Sequence, residues 1–136
     1  MKRDWDLIRK QLTDIEEENE LFSDKPIEPM QGDKPWDTYE NELKEYRKAE
    51  NRLFGHYELL IKAGYIEGLT VRRSLDGQFY YGVHSPRLTM AGHDLLDTMR
   101  SSGIWEKIKE SAKAKGVELT FDVIKALGAL ALKQIT

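Results

Sequence analysis

A chain of 136 residues with 40% apolar content is long enough for one packed domain, and the lack of cysteine excludes a disulfide scaffold and any thiolate zinc site. Net charge is −3 but uneven: residues 1–50 hold 9 Lys/Arg against 15 Asp/Glu and the remainder 12 against 9, which counts against strong binding of a phosphate backbone by a monomer. The opening MKRDWDLIRKQL has no apolar h-region, and no run approaches the roughly 18 apolar residues of a membrane span, so the expectation is a cytoplasmic protein without membrane contact.

Asp4 is placed to cap a first helix, whose inner face is Trp5, Ile8, Leu12 and Ile15 at spacings of three, four and three. That helix fades in Glu16-Glu17-Glu18-Asn19, an acidic end that opposes the helix dipole. Residues 19–35 follow as an acidic, proline-containing loop. Trp36, Tyr39, Leu43 and Tyr46 then predict an amphipathic helix over residues 36–48. The next stripe is Leu53, Tyr57, Leu60 and Ile61, stopped by Gly64. Whether the two run together or break near Ala49 stays open at this point. On the second helix, Lys48, Asn51, Arg52, Gly55 and Lys62 project opposite the apolar stripe.

Two β-rich runs flank Asp76-Gly77, a strong hairpin signal. A two-residue loop would leave both faces half apolar. A three-residue loop, Leu75-Asp76-Gly77 with Gly77 left-handed, pairs Ser74 with Gln78 and gathers Leu69, Val71, Phe79, Tyr81 and Val83 on one face. Arg72 then stacks beside Tyr80 on the other face, with Arg73 and Tyr81 next to them.

Thr89 is placed to cap a helix with Met90, Leu95, Leu96 and Met99 inside. After a break at residues 100–103, Ile104, Trp105, Ile108 and Ala112 line another helix, which ends at Gly116. Thr120 caps the last, with Leu119 and Ile124 as a hydrophobic staple. That helix carries Phe121, Val123, Ile124, Leu127, Leu130, Ala131 and Leu132 around more than half its circumference. A surface so broadly apolar asks to be covered on two sides.

The fold class read from this order is mainly α with a small β-hairpin: a winged helix-turn-helix over residues 1–100, followed by a C-terminal helical pair over 101–136 as a dimerisation element. Phe121, Ile124, Leu127 and Leu130 are the expected contact residues of a homodimer.

No nucleophile elbow, phosphate loop or dinucleotide fingerprint occurs, and His56, His84 and His93 sit on separate elements without metal-ligand spacing. The chain is therefore expected to have no catalytic residues, no metal and no cofactor. The leading expectation is a regulator that binds double-stranded DNA as a dimer through Lys48, Asn51, Arg52, His56, Arg72 and Arg73, with His56 reaching a phosphate or base. The alternative is a protein-interaction module of the same fold that binds a host or phage protein, its working surfaces the acidic first half and the apolar last helix. Low basicity favours the alternative.

Three segments, MKRDWDLIRK, HYELLIKAGYIEG and RLTMAGHDLLDTMRSSGIWEKIKE, together resemble a domain-of-unknown-function family of small uncharacterised bacterial and phage or prophage proteins. Members typically carry tryptophan after the Leu-Thr pair, where this chain has Met90. The resemblance implies a winged-helix fold and a phage or mobile-element origin, and it implies no activity.

Overall fold

The computed structural model describes the backbone of residues 1–135 and the side chains of residues 1–133. Five helices and a two-stranded antiparallel hairpin follow in the order α1 (Trp5–Glu16), α2 (Trp36–Lys62), β1 (Ile66–Arg73), β2 (Phe79–Leu88), α3 (Met90–Met99), α4 (Ser102–Lys115) and α5 (Phe121–Ile135). The protein is thus mainly helical with one hairpin, as its periodicities predict. Thr136, at the end of the expected C-terminal pair, lies outside the described residues.

The helix starts obey their capping chemistry. Asp4 accepts from the Leu7 amide at 3.1 Å, Thr89 from Gly92 at 3.1 Å and Thr120 from Val123 at 3.2 Å, each satisfying an amide that has no partner within its helix. Ser101 caps α4 in the same way through the Ile104 amide, a role the bare sequence did not single out. Gly116 ends α4 in the left-handed conformation at φ 67°.

Residues 36–62 form one unbroken helix, which settles the question left open at Ala49. Only its C-terminal part enters the core. Leu53, Phe54, Tyr57 and Leu60 pack with Leu12, Leu95, Leu96 and Met99, and α4 and α5 join the same cluster through Trp105, Ile108 and Ile124. The hydrogen bond from Trp105 Nε1 to Asp6 Oδ1 (2.8 Å) and that from Trp5 Nε1 to the Leu119 carbonyl (3.0 Å) tie α1 to the C-terminal helices. Arg9 donates to the Met99 and Arg100 carbonyls at 2.7 and 3.1 Å, so it supplies donors to the C-terminal end of α3.

The hairpin takes the three-residue loop. Arg73 pairs with Phe79 and Arg72 with Tyr80, the Ser74 amide donates to the Gln78 carbonyl at 2.9 Å, and Gly77 stands at φ 84°. Near the base the register shifts between Glu67 and Leu69, where Gly68 adopts φ 80° opposite residues 84–86 of β2, among them Ser85 at φ 58°. A Cβ on Gly68 would lie 2.4 Å from the Ser85 carbonyl oxygen, so the bulge requires glycine there. Phe54 stacks on Phe22, Phe79 and Tyr81 with centroids 5.5, 5.1 and 5.5 Å away, docking both the 19–35 loop and the hairpin onto α2.

Four expectations about faces are corrected. Met90 is 80% exposed: a residue directly after the cap looks away from the core that Leu95, Leu96 and Met99 enter. Gly55 is buried, because the start of the chain crosses α2 there and a Cβ would meet Met1 Sδ at 2.8 Å. Ile124 and Leu127 are buried inside the chain's own core, which removes two of the four residues expected at a dimer contact. Phe121 is half-buried, its ring edge-on to Tyr65 at 5.6 Å, and only Leu130 of the four stays exposed. Among the described residues, no helix is long and apolar enough to cross a membrane.

Candidate binding face

The exposed side of α2 and the tip of the hairpin enclose a groove of about 690 Å³. Leu43, Tyr46, Arg47, Glu50 and Asn51 line it from the helix, and Arg73 to Phe79 line it from the turn and strand ends. Lys25 and Glu28, from the loop before α2, close one side. The helix contributes positions 43, 46, 47, 50 and 51 because a 3.6-residue period returns them to one side.

The six residues expected to bind nucleic acid do not converge. Asn51 and Arg73 line this groove. Lys48 and Arg52 instead line a separate groove of about 290 Å³ with Leu7, Asp24 and Glu45. Arg72 is exposed on the opposite face of β1, across from Tyr80. Within the hairpin, the guanidinium that lies over an aromatic ring is that of Arg73, 4.7 Å from the Phe79 centroid, rather than that of Arg72.

His56 leaves the set altogether. It is fully buried, its Nε2 accepts the Asp4 backbone N–H at 2.8 Å, and its Nδ1 lies 2.6 Å from the Arg52 carbonyl. Helical projection placed it at the margin of an outward face, but the segment before α1 covers that margin. Burial pushes the His56 imidazole below its ordinary pKa.

Three of the remaining cations already face carboxylates. Lys48 Nζ lies 3.4 Å from Glu45 Oε1, Arg73 Nε donates to Glu58 Oε1 at 3.1 Å, and Arg52 pairs with Asp4. Burial tends to raise the Asp4 carboxyl, yet the Arg52 guanidinium and the Leu7 amide outweigh it and hold the pKa below the usual carboxylate range. Among the described residues, Arg47, Asn51 and Arg72 have no such partner.

Sequence reasoning missed the most unusual residues of the groove. Tyr46 stands one turn before Glu50, and its phenol is pushed up to about 12, first by burial and then by the neighbouring Glu50 carboxylate and the Glu28 charge. The spacing of four between Tyr46 and Glu50 was the available signal; the apolar stripe through Tyr46 drew attention away from it.

A second groove, of about 510 Å³, lies between the end of α1 and the base of the hairpin. Ile15, Phe22 and Val83 give it an apolar lining, and Glu18 and Ser85, both left-handed at φ 57° and 58°, stand beside them. Part of the acidic first half is thus gathered at one edge, away from the α2 groove.

The family described as Hypothetical protein (DUF2513) matches residues 2–118 of this chain. An uncharacterized protein of Haemophilus influenzae Rd is 30% identical over 135 residues, spanning 99% of this chain and 98% of that protein. No solved structure matches.

Proposed function

The chain belongs to the DUF2513 family, and from its own geometry we propose that it is a protein-interaction module of winged-helix form that works through the α2–hairpin groove. The order of a helix, a hairpin packed on its C-terminal half and a capped following helix supports the winged-helix reading.

One observation carries the choice of a protein over a nucleic acid: Lys48, Arg52 and Arg73, three of the four cations left in the expected nucleic-acid set, already face a carboxylate. Arg52 stands on Asp4, Arg73 on Glu58 and Lys48 beside Glu45, and Glu28, Glu50 and Asp76 share the groove with Lys25, Arg47 and Arg73. A cation that turned from its carboxylate to a phosphate would leave that carboxylate beside the phosphate, cancelling much of the gain. Duplex affinity comes mainly from net neutralisation of phosphates and release of their counterions. Alternating charge with aromatic and amide groups suits a polypeptide surface instead.

Arg47, Asn51 and Arg72, which have no carboxylate partner among the described residues, favour the second reading, duplex DNA as the ligand. Anisotropy titration of a fluorescent random-sequence duplex at low and at moderate salt separates the two. The expected result is no saturable binding at either. Saturable binding with a steep salt slope, made shallower by about one unit in Arg47→Ala and in Arg72→Ala, would establish the DNA reading.

A further inference from the structure

We propose that a basic, extended segment of a partner protein adds as a third strand to the outer edge of β2, in the groove between the end of α1 and the base of the hairpin. This site lies apart from the α2–hairpin groove and stands whether or not that groove binds a protein.

The hairpin register leaves the β2 edge unpaired. The Ser74 amide donates to the Gln78 carbonyl, so along the ladder Arg72 with Tyr80 and Thr70 with Gly82 exchange backbone bonds, while Val71 with Tyr81 and Leu69 with Val83 do not. The N–H and C=O groups of Tyr81 and Val83 therefore point away from β1. Among the described residues, nothing else hydrogen-bonds them. Tyr81 is 42% and Val83 52% exposed, so a guest can reach this edge. Pro86, which has no N–H, ends it. Such an edge is a template for one more strand.

The facing wall selects the strand. Ile15, Leu21 and Phe22 give it apolar surface, Asp14, Glu18 and Glu20 give it carboxylates, and no Lys, Arg or His lines the groove. Lys10 holds Asp14 at 2.8 Å, but Glu18 and Glu20 are exposed, and among the described residues neither carboxylate has an ion-pair or hydrogen-bond partner. Glu18 also sits where a glycine is usual. The Asn19 amide donates to the Asp14 carbonyl at 2.8 Å and the Glu18 amide to the Ile15 carbonyl at 3.3 Å, a helix closure that puts Glu18 at φ 57°. A glutamate there gives up backbone stability and sets a charge beside the groove. A segment mixing β-branched and basic residues meets the apolar surface, the carboxylates and the free backbone groups together; a phosphate backbone would be repelled.

Amide-resolved NMR titration of the full chain tests this with three probes. They are acetyl-Lys-Val-Lys-Val-Lys amide, its acidic counterpart acetyl-Glu-Val-Glu-Val-Glu amide, and the lysine peptide with every backbone nitrogen methylated, which keeps the charges and loses the backbone donors. The lysine peptide should shift amides of residues 18–22 and 81–85 saturably, with both controls weaker by at least about tenfold. Glu18→Gly combined with Glu20→Gln should weaken the lysine peptide about fivefold while the melting temperature stays level or rises, because glycine takes φ 57° without strain. Unmoved amides up to about 5 mM lysine peptide, or equal binding of either control, overturns the proposal without help from any variant. Undiminished binding to the double variant overturns it too, and so do shifts confined to the α2–hairpin groove. None of these failures touches the interaction-module reading, which falls only to steep salt-dependent duplex binding.

Discussion

The backbone N–H of Asp4 donates to His56 Nε2 at 2.8 Å, fastening the entry of α1 to the middle of α2 across 52 residues of chain. Because a backbone amide can only donate, Nε2 must be unprotonated. The single imidazole proton therefore sits on Nδ1, where it faces the Arg52 carbonyl at 2.6 Å. The fold uses the neutral ring as an acceptor at one end and a donor at the other.

A pH dependence follows from that protonation state. The folded pKa of His56 is lowered by burial, while an unfolded histidine titrates near about 6.5. Below that value the unfolded chain takes up a proton that the folded one refuses, so stability is complete above about pH 6.5 and falls by up to about 1.4 kcal/mol per unit below it. The loss stops growing once the folded ring is protonated as well. Urea unfolding between pH 7.5 and 5 should show this decline in the wild type and a flatter profile in His56→Gln. His56→Leu, which leaves the Asp4 amide without an acceptor, should cost about 1–3 kcal/mol at neutral pH. A wild-type stability independent of pH over that range would contradict the assignment.

Two glycines should rank in the opposite order to the size of the group added. Gly77 has open space around it and needs glycine only for its φ of 84°, so Gly77→Val should cost about 1–2 kcal/mol. Gly92 lies against the bend just before β1: an added Cβ would fall 2.0 Å from the Tyr65 carbonyl oxygen, which also accepts the Thr89 amide at 3.0 Å. Gly92→Ala should therefore cost at least about 2 kcal/mol although it adds one methyl. Denaturant midpoints of the two variants measure the order, and a Gly92→Ala protein as stable as the wild type would mean that α3 is not seated on Tyr65 in this way.

The C-terminal helix should not hold two copies together. Ile124 and Leu127 are spent inside the chain, leaving, among the described residues, Leu130 at 48% and Leu132 at 55% exposure as its large exposed apolar groups. A stable dimer usually covers about 800 Å² on each partner, far more than two half-exposed leucines offer. Light scattering should give a monomer for the wild type and for Leu130→Glu alike. A wild-type dimer that Leu130→Glu dissociates would restore α5 as an interface.

How far these features could be read in advance depended on the range of the interaction. Helix stripes, the Asp4, Thr89 and Thr120 caps and the Gly77 loop rest on neighbours within a few residues, and periodicity or turn chemistry exposes such neighbours directly. The bulge at Gly68 depends on the left-handed Ser85 in the opposite strand, and nothing near Gly68 announces it. The binding residues fared worse for the same reason. Arg52 meets a carboxylate 48 residues away and Arg73 one 15 residues away, so charges that look available along the chain are balanced in space. Helical projection also assumes that whatever lies opposite the apolar stripe is wet. Gly55 and His56 break that assumption, because the first residues of the chain lie over them.

The long helix has two fates along its length. None of residues 36–49 is buried, whereas 53–57 are buried without interruption, so a rod of roughly 40 Å is anchored at one end only. An unanchored stretch of this length is marginal as a helix by itself and survives by continuing a segment that the core already holds. Its amide protons should therefore exchange with solvent much faster than those after Leu53, with the change in protection falling near Tyr46 and Glu50. Any contact made at that boundary would act at the point where the rod begins to fray, and would quiet turns of helix that it never touches.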